Sequence, residues 1–310
     1  MRRSWLSWRL ALLAALLAVL ALGAWLWTPD QPRSTLEARY LAAPGDLVQV
    51  GQWRLHVRDS GPRDAPVVLM LHGFGASLHT WEAWAQGLSA THRVIRFDWP
   101  GHGLSEPDPA NDYTDARSLQ LMLSLMDQFG VARASVVGHS IGGRIGWTFA
   151  SRHPGRTARL VLVAPDGFAS PGFEYGQAAE VPASLGLMRH AMPKAVLRMS
   201  LEPAYADPAF LTDELTTRYH DLLLAPGARD AMLSRLRQTV LTDPRPWLAR
   251  IAAPTLLVWG EADAMIPVAH AQDYLGAIPG SRLLSLPGAG HLPQEEAAQA
   301  SLPAVLAFLR

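Results

Sequence analysis

The sequence predicts an α/β fold: a mostly parallel central sheet flanked by helices, with an inserted helical cap and an N-terminal transmembrane helix. From residue 47 onward, short buried strand patterns alternate with helical patterns, which is typical of a parallel sheet covered on both faces. Between residues 166 and 248, apolar helical patterns replace the alternation, and the stretch is too long for a plain loop. An uncharged run of 18 residues, positions 10–27, precedes both regions.

The composition supports a folded domain without a strongly charged surface. Apolar residues make up 49% of the 310 residues and charged residues 17%, which allows a sizeable core and excludes disorder driven by charge. Lys+Arg and Asp+Glu both number 27, so the balance indicates neither a nucleic-acid partner nor an acidic tail. The chain has no cysteine, which excludes disulfides, cysteine metal sites and a cysteine nucleophile.

The uncharged run at the N-terminus would form a helix about 27 Å long, close to the thickness of the hydrocarbon core of a bilayer. Tryptophans flank the run, as at the two membrane interfaces, and arginines before it favour an N-terminus that stays in the cytoplasm. We therefore predict a signal anchor over residues 1–30, with the folded domain on the extracytoplasmic side. The flanking residues are Trp5, Trp8, Trp25 and Trp27, and the arginines are Arg2, Arg3 and Arg9.

Other interpretations of this segment remain open. A cleaved signal peptide would end near Ala21-Leu22-Gly23, although the apolar run continues past that site to Trp27. The opening Arg2-Arg3-Ser4-Trp5-Leu6 loosely resembles a twin-arginine export signal. Both alternatives also export the domain, whereas a buried N-terminal helix would not.

The alternating region predicts each element of the sheet in turn. Two strands pair antiparallel around Gly51-Gln52, and later strands are short and apolar. Helices end where glycine or proline interrupts the pattern, at Gly130 and before Pro154. The predicted strands span residues 47–50, 53–58, 67–71, 93–97, 134–137, 159–164, 255–259 and 282–286, and the helices 79–88, 116–129, 141–152, 269–277 and 295–309. The predicted units are a proline-containing linker over 31–46, a core over 47–165 and 249–310, and the cap over 166–248.

The segment Gly138-His139-Ser140-Ile141-Gly142 follows a predicted strand and opens a predicted helix. It matches G-x-S-x-G, whose glycines permit a sharp turn that exposes the serine hydroxyl above the sheet. In this context we interpret Ser140 as a nucleophile. His139 would point away from the serine hydroxyl in such a turn and is expected to be structural.

A second glycine-containing loop, His72-Gly73-Phe74-Gly75, follows the strand predicted over 67–71. An oxyanion in acyl transfer needs two backbone donors that are held in place beforehand. The amides of Phe74 and Ile141 are the candidates, because the glycines beside Phe74 let the backbone approach a substrate closely. His72 is expected to brace the loop.

Polar residues also follow the last two strands of the sheet. Asp263 ends Gly260-Glu261-Ala262-Asp263, and His291 ends Gly288-Ala289-Gly290-His291. Both lie just past the carboxyl end of a strand, where sites form in open α/β sheets. A serine is activated when a base takes its proton, so His291 is the candidate base and Asp263 the residue that orients it. Asp166, which follows another strand, is the alternative acid.

Together these segments resemble the α/β-hydrolase fold superfamily, in its cap-bearing serine esterase and lipase-like branch. The resemblance covers residues 47–310 and includes a loop at 97–105, in which we expect Asp98, His102 and Ser105 to form internal hydrogen bonds. It implies a Ser140-His291-Asp263 triad that works through an acyl-enzyme. The order serine, acid, histidine along the chain is that of this arrangement.

The resemblance implies a serine hydrolase of carboxylic esters with an apolar acyl group. The substrate would be a small-molecule or lipid ester, without a cofactor or metal, and Met188 and Met192 either line an acyl pocket or belong to the core. A hydrolase of carbon–carbon bonds in ring-cleavage products is an alternative, with Arg189 and Arg198 as candidates to bind a dienoate carboxylate. A non-catalytic ligand-binding protein on the same fold is the other.

Overall fold

The structure is a computed structural model that describes residues 2–169 and 174–310, with side chains from residue 8 onward. Its centre is an eight-stranded sheet in the order β1-β2-β4-β3-β5-β6-β7-β8. The pairs β1·β2 and β2·β4 are antiparallel and the other neighbours are parallel, which confirms the predicted fold class. The strands are β1 (Leu47–Val50), β2 (Trp53–Ser60), β3 (Val67–Leu71), β4 (Arg93–Phe97), β5 (Ala134–His139), β6 (Thr157–Val163), β7 (Thr255–Gly260) and β8 (Arg282–Leu286).

Helices cover both faces of this sheet because its central strands are apolar on both sides. Trp81, Trp84 and Val305 pack with one face. Met122, Phe149 and other apolar side chains pack with the opposite face. The helices are α1 (Arg2–Leu26), α2 (Arg33–Tyr40), α3 (Glu82–Leu88), α4 (Asp115–Gln128), α5 (Ile141–Arg152), α6 (Lys194–Leu201), α7 (Asp213–Leu223), α8 (Ala228–Gln238), α9 (Arg245–Leu248), α10 (His270–Ala277), α11 (Pro293–Glu296) and α12 (Ala298–Leu309).

The stretch predicted as a cap, residues 166–248, lies between β6 and β7 and is called the insertion below. It contains α6 to α9 and short 3-10 turns. Because β6 and β7 pair directly with each other, the insertion leaves the order of the sheet unchanged. Residues 170–173 of the predicted cap, and Met1 of the predicted anchor, lie outside the described residues.

The segment predicted as a linker, residues 31–46, contains a helix that the sequence analysis did not predict. Residues 33–40 form α2, whose Leu36 is buried against the insertion. Pro32 is the N-cap residue of this helix, with a φ of −57° and a ψ of 132°, so it precedes the helix without interrupting it. The segment after α1 is therefore packed on the insertion.

The N-terminal helix α1 is long and apolar enough to cross a membrane. The 19 residues Trp8–Leu26 have a mean hydropathy of 2.2, and none of them is buried against the rest of the chain. The end of α1 is nevertheless held by the insertion, because the Thr28 N–H donates to the His190 carbonyl at 2.9 Å. The Trp27 ring stacks on the His190 ring with centroids 5.4 Å apart.

Candidate active site

Ser140 occupies a strained turn between β5 and α5. Its φ of 53° and ψ of −122° lie in a region that residues other than glycine rarely adopt. The turn depends on glycine at both ends: a Cβ at Gly138 would come within 2.4 Å of the Gly142 carbonyl oxygen, and one at Gly142 within 2.3 Å of the Leu71 carbonyl oxygen. Ser140 remains partly exposed, so the sequence places a reachable hydroxyl at the carboxyl edge of the sheet.

His291 and Asp263 form a buried pair at the same edge. The His291 Nδ1 atom donates to Asp263 Oδ2 at 2.8 Å, and both side chains are almost fully buried. The other oxygen of Asp263 accepts from the amides of Met265 and Ile266, each at 2.8 Å. Because Nδ1–H donates to the carboxylate, the free lone pair of the imidazole is on Nε2, which can act as a base.

The alternative acid, Asp166, has a different partner. Its carboxylate lies 3.1 Å from Arg144 Nη1, and Arg144 also pairs with Asp115 at 3.1 Å. Burial alone would lower the pKa of Arg144, but these two carboxylates raise it. The structure therefore brings Asp263, not Asp166, to His291.

The loop after β3 packs directly against the serine turn. A Cβ at Gly73 would come within 3.2 Å of the Ser140 Cβ and 2.8 Å of His139 Nδ1, so only glycine fits there. Within the described ranges, the amides of Phe74 and Ile141 donate no hydrogen bond to the protein. Ile141 is the first residue of α5, where an amide has no partner within the helix. The two amides predicted as oxyanion donors are thus free and lie beside the serine turn.

Buried histidines hold the loops of the site in place. His72 Nε2 accepts from the Trp99 amide at 3.0 Å, and Nδ1 donates to the Gly73 carbonyl at 2.8 Å. His139 donates from Nε2 to the His291 carbonyl at 2.8 Å. Burial lowers the pKa of both His72 and His139, so both rings are neutral and act as fixed hydrogen-bond partners.

The polar residues of the loop at 97–105 turn inward, as expected. The fully buried Asp98 accepts from His56 Nδ1 at 2.8 Å and from the Leu104 amide at 2.9 Å. The Ser105 hydroxyl donates to the Asp98 carbonyl at 2.7 Å. Burial alone would raise the pKa of Asp98, but His56 and the neighbouring histidines hold it well below its ordinary value. Asp98 is therefore a structural anion that shapes the loop.

A mostly apolar cavity of about 270 Å³ lies beside the serine turn, between the core and the insertion. Ile141 and Arg144 line it from the core, and Asp166, the first residue of the insertion, lies beside them. Its apolar lining comprises Phe168, Val181, Pro182, Leu185, Leu236 and Leu241. Neither this lining nor Arg144 was predicted from the sequence; a charged residue inside an otherwise apolar helix was the available signal for Arg144. A larger cavity of about 830 Å³ lies between α2, α3, α7 and α11 and is lined by none of Ser140, Ile141 and His291.

The two predicted substrate-binding methionines lie elsewhere in the insertion. Met188 is buried in a cluster that packs on Phe74, and Met192 lies at the edge of that cluster. The Met192 amide donates to the Thr28 hydroxyl at 2.6 Å. Neither methionine lines the 270 Å³ cavity. Arg189 and Arg198 also lie outside it, paired with Asp230 and Glu202.

The chain belongs to the α/β-hydrolase fold family, whose model matches residues 66–206 and 213–298. This confirms the resemblance drawn from the motifs. Among relatives, a dihydrolipoyllysine-residue acetyltransferase component of an acetoin cleaving system of Pseudomonas putida is 32% identical over 271 residues, covering 84% of this chain and 68% of the relative. A 2-hydroxy-6-oxononadienedioate/2-hydroxy-6-oxononatrienedioate hydrolase of the same species is 31% identical over 269 residues, covering 83% and 92%.

Two solved structures are similar in fold along most of the chain. A protein of Acinetobacter baumannii assigned as a lipase has a TM-score of 0.75 at 22% identity, covering 91% of this chain and 97% of its own. A bacterial membrane phospholipase A has a TM-score of 0.73 at 23% identity, covering 100% and 98%. The family thus supports a hydrolase, and its members differ in the bond they cleave.

Proposed function

We propose that the protein is a serine hydrolase that cleaves carboxylic esters with an apolar acyl group. The observation that carries the proposal is the buried His291–Asp263 pair at the sheet edge that also carries the partly exposed, strained Ser140. A nucleophile, a base and a group that orients the base are the three parts that acyl transfer through serine requires.

In the proposed mechanism, His291 Nε2 takes the proton of the Ser140 hydroxyl as its oxygen attacks the ester carbonyl. The oxyanion that forms accepts hydrogen bonds from the Phe74 and Ile141 amides, which have no other partner within the described residues. His291 then gives its proton to the leaving alcohol. Water, deprotonated by His291, hydrolyses the acyl-enzyme and releases the acid and the free Ser140.

The cavity beside Ile141 supports an apolar acyl group. A chain bound there would start next to the serine turn and lie against Val181, Leu236 and Leu241. We propose that residues 166–248 act as the cap that forms this pocket over the core residues 47–165 and 249–310. In this proposal Met188 and Met192 do not contact the acyl chain. Met188 instead belongs to the cluster that packs against Phe74.

A carbon–carbon bond hydrolase is the second candidate, because a relative at 31% identity has that activity in its name. Such a substrate carries a carboxylate and needs an uncompensated cation in the site. Arg189 and Arg198 are occupied by insertion carboxylates, and Arg144 lies between Asp115 and Asp166. These pairings favour the ester. A purely ligand-binding role does not account for the strain kept at Ser140.

We further propose that α1 anchors the enzyme in a membrane, with the hydrolase domain on the extracytoplasmic side. The length and hydropathy of Trp8–Leu26 support the anchor, and the exposed rings of Trp8, Trp25 and Trp27 suit the two interfaces. Export after signal cleavage is the alternative. Tagging each end of the full chain and testing protease access in intact cells separates the two.

The test of the proposed function uses the full chain in detergent micelles, with a fluorophosphonate probe and nitrophenyl esters of increasing acyl length. Ser140→Ala removes the nucleophile, and Ser285→Ala, at a serine hydroxyl that contacts Glu261, is the matched control. We expect labelling and turnover in the wild type and control, and a loss of several orders of magnitude in Ser140→Ala. Labelling without ester turnover would favour the carbon–carbon substrate, and a folded wild type without labelling would refute the triad.

A further inference from the structure

The loop that carries His291 is bonded to the insertion through its backbone. The His291 amide donates to the Ala204 carbonyl at 2.8 Å. The two segments are so close that a Cβ at Gly290 would come within 2.8 Å of that same carbonyl oxygen and within 2.7 Å of the Ala206 nitrogen. Gly290 thus lets the insertion pack against the backbone next to the histidine.

A single carboxylate, that of Glu296, joins the same two segments. Its Oε1 accepts from the Gly290 amide at 2.6 Å, and its Oε2 accepts from the Ala206 amide at 2.9 Å. Burial raises the pKa of Glu296, and the nearby Asp263 carboxylate raises it further. The Glu296 carboxylate therefore lies close to another anion, and the two hydrogen bonds that it accepts from backbone amides stabilise its charge there.

The preceding residue, Glu295, ties a second part of the insertion to the same turn. Its carboxylate accepts from the Tyr205 hydroxyl at 2.8 Å and from the Tyr219 hydroxyl at 2.9 Å. Arg218 lies 3.6 Å from it. Burial, together with Glu295, raises the pKa of both tyrosines, so both phenols stay protonated and donate.

We propose that Glu296 is a positioning residue that couples the seating of the insertion to the placement of the His291 imidazole. When residues 204–206 are seated, Glu296 holds the Gly290 amide and the Ala204 carbonyl holds the His291 amide, so two consecutive backbone N–H groups are fixed. When these residues leave, the loop loses the His291 bond to Ala204, and the Glu296 carboxylate loses one of its two anchors. The inference rests on the proposed function, since it assigns a role to His291 as the base.

The test compares the rate of fluorophosphonate labelling and steady-state ester hydrolysis in full-length variants. Glu296→Gln keeps the shape but offers an N–H where one of the two amides needs an acceptor. We expect kcat and the labelling rate to fall about 10- to 100-fold, as for loss of one hydrogen bond to a charged acceptor, with KM for a small ester within about twofold. Glu261→Gln, at an exposed carboxylate bonded to Ser285, is the matched control and should keep wild-type rates.

A second variant tests whether the insertion takes part. Tyr205→Phe with Tyr219→Phe removes both hydroxyl donors to Glu295 and leaves the bonds of Glu296 intact. Slower labelling, measured well below the thermal midpoint of the variant so that the protein is folded, supports coupling through the insertion; an unchanged rate shows that Glu296 acts only within its own loop and overturns the proposal. A wild-type labelling rate in Glu296→Gln also overturns it. If the wild type itself is not labelled, the proposed function has failed instead.

Discussion

Asp221 ties the segment that follows α1 to the insertion, and its substitution should release that segment. The Asp221 carboxylate is buried on α7 and accepts from Gln31 at 2.8 Å, from Tyr40 at 2.7 Å and from Arg39 at 2.6 Å. Burial, with Asp221 as the neighbour, raises the pKa of Tyr40 far above its ordinary value, so the phenol remains a donor. The three donors all come from the stretch that would otherwise link the anchor to the domain.

The magnitude follows from these contacts. Asp221→Ala removes two partly buried bonds to a charged acceptor, at about 1.5 to 3 kcal/mol each. The Arg39 pair adds at most about 1 kcal/mol, because its side chain is 55% exposed and screened by solvent. We therefore expect a loss of about 3 to 7 kcal/mol, enough to raise the population of the released segment by a factor of at least about 100.

Limited trypsin digestion in detergent micelles measures this release, since Arg33 and Arg39 lie in the segment. Faster cleavage at both arginines is expected in Asp221→Ala, together with a lower thermal midpoint. Glu37→Ala, on the same helix but 4.0 Å from its partner Arg33, is the control and should behave like the wild type. Cleavage of Asp221→Ala within twofold of the wild-type rate would refute the assignment of Asp221 as the clamp.

Three further predictions concern the site and its stability. Asp263→Asn should lower kcat about 10⁴-fold by leaving His291 in the wrong tautomer, whereas Asp166→Asn should retain activity within about tenfold in nitrophenyl ester assays. Leu236→Trp should fill the 270 Å³ cavity and shift the acyl-length optimum to shorter esters in the same assays. Burial lowers the pKa of His102 to about 3. The free energy of unfolding should therefore decrease less steeply between pH 6 and 4 in His102→Asn than in the wild type, as measured by denaturant titration at each pH.

The sign of the pH prediction follows from proton binding. The unfolded histidine binds a proton below its ordinary pKa near 6.5, while His102 in the folded protein stays neutral down to about pH 3. Stability therefore falls as the pH drops through this window, by up to about 1.4 kcal/mol per pH unit for this one group. An unchanged slope in His102→Asn would show that the ring is not neutral in the folded state. Equal losses of kcat in Asp263→Asn and Asp166→Asn would contradict the prediction about the triad acid. An unchanged acyl-length optimum in Leu236→Trp would contradict the prediction about the cavity.

The sequence predicted the parts of the fold that depend on local patterns. Buried strands and the turn at Ser140 were readable because glycine spacing and apolar runs constrain the backbone within a few residues. Strand ends moved by one or two residues, as at β2, which continues to Ser60. Helix α2 was missed because its stability comes from Leu36 and from donors that reach Asp221, about 180 residues away along the chain.

The same distinction separates the chemistry of the site from its support. The residues proposed to react follow strands directly, so the pairing of His291 with Asp263 could be expected from where each strand ends. The choice against Asp166 could not, because it depends on Arg144, one turn into α5, and on Asp115 at the start of α4. The sequence pattern around such a charged residue does not show which residue it pairs with, so only the tertiary structure identifies its partners.

The contacts around His291 extend this argument to the insertion. Its imidazole is oriented by Asp263 from the core, whereas its backbone amide is held by Ala204 from the insertion. If the insertion only covered the substrate, its displacement would change KM and leave the reactivity of Ser140 towards a small probe intact. Because it also holds the backbone of the base, displacement should lower that reactivity as well. The rate of probe labelling in the absence of substrate is therefore the measurement in which a simple cover and a positioning element differ.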